Sequence, residues 1–503
     1  MIRRLPGARL WLVAFVGLWL LFAGWAFAAP YDGPPDEQQH ALRAAAIMNG
    51  DVLAGADRGQ LVPDSLYRRP FCFPMRLTVP ANCAVEPGGS ETDQEYWVAA
   101  ARYNPVYYAI TGWPLGFEPN WRGIVASRLL NGAAMAALIA CAVVAAVRWT
   151  RHKAMLAGVV VAVTPMVAHL GGAINPNGVE IAAGLALFAA LLSLVHDQRE
   201  GINRAAVALA GVSASVLVTP RFAGVLWLAV IVGAVLIPSA KARLRELARS
   251  RVVRIWSGVV VLAVLASVGW TLLANTAEVG GTDKGQTVAR ILRGEIFDMW
   301  PIVTQQMVGV MGWAETPLPG MVYAVWYMAA GLLLLGALVL GNRVDRWRLS
   351  ALFLATFAPL AAAEVLLANT TGYFNQGRYF LPGAVGLPLL AAYVMSRRGL
   401  TPENLRSMTR LLAFLLVPIQ LICLPWTMAR WSSGWISLNP YNGSWFPHYG
   451  VTLPLVLATL GTAVLFFLYW RASRVPASSP PPPPPVEAKE TVEDAAPAQT
   501  VSV

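Results

Sequence analysis

The chain has 503 residues, of which 56% are hydrophobic and only 13% charged, with a mean hydropathy of +0.54. Soluble domains carry about a quarter charged residues, so a soluble globular fold is excluded and a polytopic membrane protein is predicted. The net charge of +11 is spread over many short loops, which argues against a nucleic-acid partner and for the basic-loop pattern of membrane proteins.

In chain order, Arg3, Arg4 and Arg9 precede an apolar run from about Leu10 to Ala29, long enough for the roughly 20 residues a bilayer requires. Residues 1–29 are therefore predicted as an N-terminal transmembrane helix. Its end, AFAAP, also has the form of a signal-peptidase site, so the sequence leaves retention or cleavage open. Residues 30–122 form a large polar first loop, with an aromatic run from Tyr103 to Pro114 suited to headgroup depth. Residues 123–474 form a transmembrane helical domain with spans expected near 123–147, 154–170, 179–196, 205–220, 223–239, 255–274, 320–340, 349–368, 381–396, 410–428 and 451–470. The fold class is all-α, with about twelve transmembrane helices. With the N-terminus inside, 24 of the 38 Lys and Arg fall on the cytoplasmic side, which makes the first loop extracytoplasmic and both termini cytoplasmic. From residue 475 to 503 the run Pro480 to Pro485 and the acids after it predict a disordered, proline-rich cytoplasmic tail.

The polar residues collect at the outer boundary. Pro34 and Pro35 suit the first turn of a helix that places Asp36 and Glu37 at its positive end, with His40 on the same face. The same three residues would equally serve to cap and solvate a juxtamembrane helix. Asn175, Asn177 and Glu180 fall in the next outer loop, Arg221 in a third, Lys284 in a fourth, and Gln376, Arg378 and Tyr379 in a fifth. Glu364 lies inside an apolar helix, where ionisable groups are costly and usually functional. An arginine flanked by aromatics, such as Arg378, binds a lipid phosphate with paired donors or simply snorkels to the interface. Cys72 and Cys83 share the polar loop and are a disulfide candidate, or two isolated thiols; Cys141 and Cys423 read as core residues.

The acidic pair after the first helix, the Asn175-Pro176-x-Gly178 turn, the segment Gly312 to Pro319 and Gln376-Gly-Arg-Tyr-Phe-Leu-Pro382 together resemble the bacterial membrane-protein family called domain of unknown function 2142. The resemblance spans most of residues 10 to 470. That family is similar to GT-C glycosyltransferases, so the resemblance implies a GT-C-like enzyme of the bacterial plasma membrane. Such an enzyme moves a sugar from a polyprenyl-phosphate donor to a glycan or lipid acceptor of the cell envelope, inverting the anomeric centre. On this reading Asp36 or Glu37 is the base, and Arg378 holds the leaving phosphate with Lys284 or Arg221 as helpers. Glu180 and Glu364 grip sugar hydroxyls or, with Asp36, a divalent ion through oxygen ligands; His40, Asn175, Asn177, Gln376 and Tyr379 complete the substrate site. The family pattern carries an acid where this chain has Asn177. A divalent cation, Mg²⁺ or Mn²⁺, on Asp36 and Glu37 is left open. A flippase or exporter of lipid-linked glycans, and a non-catalytic envelope scaffold, stand as alternatives.

Overall fold

Long apolar runs broken by proline and by charged turns give a structure, a computed structural model, that is mostly helical. It describes residues 7–53, 59–67, 72–88, 92–150, 153, 155–196, 201–275 and 284–474; the proline-rich tail predicted at 475–503 lies outside the described residues. The helices are α1 (Gly7–Ala28), α2 (Glu37–Met48), α3 (Pro105–Thr111), α4 (Pro114–Phe117), α5 (Trp121–Val144), α6 (Met155–Ala162) and α7 (Pro165–Gly171). They continue as α8 (Pro176–Val195), α9 (Arg204–Val218), α10 (Ala223–Leu236), α11 (Lys241–Arg249), α12 (Arg251–Leu273), α13 (Val288–Arg293) and α14 (Trp300–Gly309). The last seven are α15 (Gly320–Leu340), α16 (Arg343–Thr371), α17 (Gly377–Ala384), α18 (Gly386–Arg398), α19 (Pro402–Leu416), α20 (Gln420–Ser433) and α21 (Thr452–Ala472). Two small antiparallel ribbons pair Gln60–Pro63 with Asp93–Tyr96 and Val310–Met311 with Thr316–Pro317.

The chain is a multi-pass membrane protein. Among the described residues, nine helical stretches are long and apolar enough to cross a bilayer. The other three of the twelve expected spans are helical but shorter, and proline explains two of the breaks. The stretch at 154–170 is split into α6 and α7 because Thr164, ahead of Pro165, is extended (φ −70°, ψ 166°). The spans expected at 205–220 and 223–239 are α9 of 15 residues and α10 of 14, separated at Pro220.

α1 lies between α5 and α21. A Cβ on Gly24 would stand 2.8 Å from the Ala458 Cβ, and one on Gly461 2.4 Å from the Leu21 nitrogen, so small residues let these backbones close up, as in other membrane bundles. The partners run in opposite order along the two helices, Gly17 against Leu465 and Gly24 against Pro454 and Ala458. The pair is thus antiparallel, and Gly7 and Ala472 sit at one end of the bundle. α8 is almost wholly enclosed by other helices, whereas α12 turns nearly all of its surface outward, as suits a helix bathed in lipid.

The segment between α1 and α5 is folded. Cys72 and Cys83 are joined in a disulfide, and the loop they close is held by buried Arg430 of α20, which donates to the carbonyls of Phe73 (2.9 Å), Arg76 (3.0 Å) and Val79 (2.8 Å). α2 packs on α3 and α4, so its N-terminus is fixed from several sides.

Candidate functional site

Asp36 and Glu37, neighbours in sequence, have opposite environments. Glu37 is fully buried and forks with Arg128 of α5, Nε to Oε1 at 2.7 Å and Nη2 to Oε2 at 2.5 Å, while the Ile174 N–H donates to its Oε1 (3.2 Å). Arg128 spends its other donors on the carbonyls of Ala26 (2.9 Å), Ala29 (2.8 Å) and Pro30 (2.9 Å). One ion pair therefore ties the end of α1, the start of α2 and the wall of α5 together. Removing either member would leave an unpaired buried charge.

Asp36 is the N-cap residue of α2, but its side chain makes no cap hydrogen bond, and its backbone sits in the left-handed region (φ 58°, ψ 9°). That conformation costs about 1 kcal/mol or more for a non-glycine residue and is common at functional sites. The geometry turns the carboxylate away from its own helix to pair with the Arg378 Nη2. Its side chain is 36% exposed against 4% for Arg378. The acid is therefore open on one side and the base is enclosed.

Arg378 opens α17 two residues after Gln376, the N-cap of that helix. Its Nη2 also lies 3.4 Å from the Tyr379 hydroxyl, and its Nε is buried without a partner. The Tyr379 ring lies near two guanidiniums, Arg378 at 5.2 Å and Arg221 at 5.4 Å from its centroid. Arg221 is forked by the buried Glu180 carboxylate, its Nε 3.0 Å from Oε1, and Asn177 donates to Glu180 Oε2 at 3.4 Å. The Asn-Pro-x-Gly turn that carries these residues is a helix start. The Asn175 side chain accepts from the Asn177 N–H (3.0 Å) with Pro176 in the first turn, and its Nδ2 donates to the Pro35 carbonyl (3.0 Å). Gly184, where a Cβ would meet the Pro382 carbonyl at 2.4 Å, lets α8 bring Glu180 close to α17.

An aromatic wall backs the cluster. His40 Nδ1 and the Tyr108 hydroxyl are 2.8 Å apart, and Tyr103 stacks on the imidazole at 6.0 Å. Burial pushes His40 down to about 3; Asp36 opposes this, and Arg221 and Arg378 add to it. It is neutral at physiological pH, so it acts as a positioned hydrogen-bonding group. Burial, with the charges of Glu37 and Asp36, holds Asp32 well above the ordinary aspartate range, and its Oδ1 has no partner.

The structure thus brings Asp36, Glu37, His40, Asn175, Asn177, Glu180, Arg221, Arg378 and Tyr379 to one end of the bundle. Glu364 is engaged next door: its Oε1 accepts the N–H groups of Phe374 (2.5 Å) and Asn375 (2.6 Å), which fixes the segment leading into Arg378. Gln376 contributes its carbonyl to the Tyr379 N–H (2.9 Å). Lys284 is exposed and lies over Gly372, whose Cβ would be 2.7 Å from Nζ; no contact joins it to Arg378. Sequence reasoning missed Arg128, Asp32, Tyr103 and Tyr108. For Arg128 the signal was present, an arginine within an apolar helix.

The family model described as predicted membrane protein (DUF2142) matches residues 18–387, a stretch that contains every one of these positions. The chain belongs to the DUF2142 family. Among solved structures this DUF2142 chain is similar to ArnT from Cupriavidus metallidurans in the apo state, at 14% identity over 93% of this chain and 77% of ArnT, with a TM-score of 0.43. It is similar in the same way to ArnT bound to undecaprenyl phosphate, at 14% identity over 92% and 76%, again with a TM-score of 0.43. No curated protein matches it.

In this DUF2142 member a divalent cation does not fit the α2 end. Asp36, Glu37 and Glu180 each face an arginine, so guanidiniums take the positions a cation would need. Among the described residues no group of three or more His, Cys, Asp or Glu gathers there or elsewhere.

Proposed function

We propose that the chain is a GT-C-like membrane glycosyltransferase that uses a polyprenyl-phosphate sugar on the extracytoplasmic side. The observation that carries this reading is the Asp36–Arg378 pair, a partly open carboxylate on a buried arginine with an unused Nε. A donor phosphate would take the free edge of Arg378 and loosen its hold on Asp36. The freed carboxylate would accept the proton of an acceptor hydroxyl as that oxygen bonds to the anomeric carbon. The bond from that carbon to the phosphate oxygen breaks, and polyprenyl phosphate leaves with the electron pair. The guanidinium stabilises the charge that develops on the phosphate, and attack from the face opposite the phosphate inverts the anomeric centre. Glu37 with Arg128 positions Asp36 from behind, and Glu180 with Arg221 fixes the facing wall; Asn177 and His40 remain as uncharged contacts for sugar hydroxyls.

The orientation rests on three supports. The basic residues favour a cytoplasmic N-terminus. The disulfide belongs to an oxidising compartment and lies in the loop that carries Asp36. The antiparallel α1 and α21 need an even number of crossings, so the nine long stretches require an odd number of the three shorter ones; twelve meets this. The test is to incubate the purified protein with a panel of polyprenyl-phosphate sugars and candidate acceptors and weigh the products. A mass gain of one sugar on an acceptor, with release of polyprenyl phosphate, is expected. Intact donors across the panel would remove the enzyme reading.

A further inference from the structure

A second acidic pair lies apart from Asp36 and Arg378, where α13 runs into a π-helical turn at Gly294–Met299. Glu295 on that turn and Glu364 on α16 interact side chain to side chain, and both are buried. Neither has an ion-pair partner among the described residues. Each leaves its Oε2 buried without a hydrogen-bond partner, and a third oxygen in the same state is Oδ1 of Asn375, itself 3% exposed. Asn375 is tied to the same turn of α16. Its Nδ2 donates to the Leu360 carbonyl (2.9 Å), one turn before Glu364, and its N–H donates to Glu364 Oε1 (2.6 Å). Tyr373 closes the side toward Glu295: its hydroxyl donates to the Ile291 carbonyl (3.2 Å), and a Cβ on Gly294 would meet that hydroxyl at 2.2 Å.

These three buried oxygens have no donor aimed at them, and no positive charge pairs with either carboxylate among the described residues. Buried polar atoms are rarely left unpaired, and two neighbouring carboxylates cannot both stay ionised without a positive species beside them. A proton shared between the two carboxyl groups satisfies one oxygen on each and leaves the Asn375 oxygen unmet. A hard cation satisfies all three, with water completing the shell. Consistent with that shortage, burial and the neighbouring Glu364 push the Glu295 carboxyl up to about 8. π-helical turns such as the one carrying Glu295 recur at functional sites.

We propose that Glu295, Glu364 and Asn375 form a binding site for a hard divalent cation, Ca²⁺ or Mg²⁺, whose occupancy firms the 372–378 segment that presents Arg378. The site is separate from the Asp36 cluster and stands whether or not the chain transfers sugars. Because Glu364 Oε1 already accepts the N–H groups of Phe374 and Asn375, a cation on Oε2 would lock the segment from the other side of the same carboxylate.

The test is calorimetric titration of chelator-treated full-length protein, in nanodiscs of zwitterionic lipid, with CaCl₂ and separately with MgCl₂. One saturable site per chain is expected, with a Kd of about 1 mM or tighter for the preferred cation. Glu295→Gln, which touches no backbone group, is expected to weaken binding about tenfold or more. Glu364→Gln keeps an oxygen for the two backbone donors and is expected to do the same. Hydrogen exchange at Phe374 and Asn375 slows when the cation is added. No saturable binding by the wild type, or equal binding by wild type and Glu295→Gln, would each overturn the proposal; the first would assign the pair to a shared proton alone.

Discussion

Asp36 and Arg378 are 342 residues apart in the chain and touch, the aspartate at the entrance of α2 and the arginine in the first turn of α17. The contact closes a ring of helix starts: α2, α8 and α17 all begin beside it, linked by the Asn175 amide on the Pro35 carbonyl and by two arginines against one tyrosine ring. Helix N-termini favour negative charge. The place is thus disposed to hold an anion with a carboxylate at its edge.

Arg378→Lys keeps the charge and loses the planar fork. If Arg378 grips a phosphate with paired donors, the donor KM rises about tenfold or more, the loss of one charge-assisted hydrogen bond, while acceptor KM stays put. Steady-state kinetics at varied donor concentration checks this, and unchanged donor saturation would remove the phosphate role.

Arg128→Met strands the Glu37 carboxylate in an apolar wall. A loss of about 3–5 kcal/mol is expected, read as a fall in thermal midpoint in detergent. Glu37→Met combined with Arg128→Met should recover much of that loss, because the stranded charge goes with it. A single variant as stable as wild type would mean that the pair does not fasten α1, α2 and α5.

His40 gives the protein an acid limit. Its pKa is lowered in the fold to about 3 from an unfolded value of 6.5, so the unfolded chain binds more protons between these values. Its contribution is fully present above pH 6.5 and is lost as pH falls toward 3, with a cost of about 3 kcal/mol reached by pH 4. His40→Gln should flatten that part of the stability profile between pH 6.5 and 4. A profile of unchanged slope would contradict the assignment.

Reduction of Cys72–Cys83, or their joint replacement by serine, removes a small ring closure worth about 3 kcal/mol in the chain-entropy model. The effect should stay local, as faster proteolysis of the loop that Arg430 holds, because the nine long helical stretches lie outside it. Unchanged proteolysis after reduction would show that Arg430 alone suffices.

The membrane architecture was legible because hydrophobic length survives in the bare sequence: all twelve apolar stretches are helical. Their lengths were less legible: Pro165 cuts the single span expected at 154–170 into α6 and α7, whereas the break at Pro220 was read from the sequence. At the site, residue identities were readable at turns with strong local chemistry, such as Asn175-Pro176 and the run around Arg378. Their pairings were not. Nothing local to residue 128 marks it as the partner of Glu37, or residue 221 as that of Glu180, because such contacts are chosen by packing across the bundle. Asp36 and Glu37 looked interchangeable in sequence; a left-handed turn at one and a buried guanidinium at the other separate them.

The most direct measurement is the rate of polyprenyl-phosphate release from a sugar donor by purified wild type and by Asp36→Asn, both shown to be folded by thermal melting. The account predicts release by the wild type and a rate lower by about 10²- to 10⁴-fold in the variant, the span of a lost general base. Equal rates in the two proteins would contradict it.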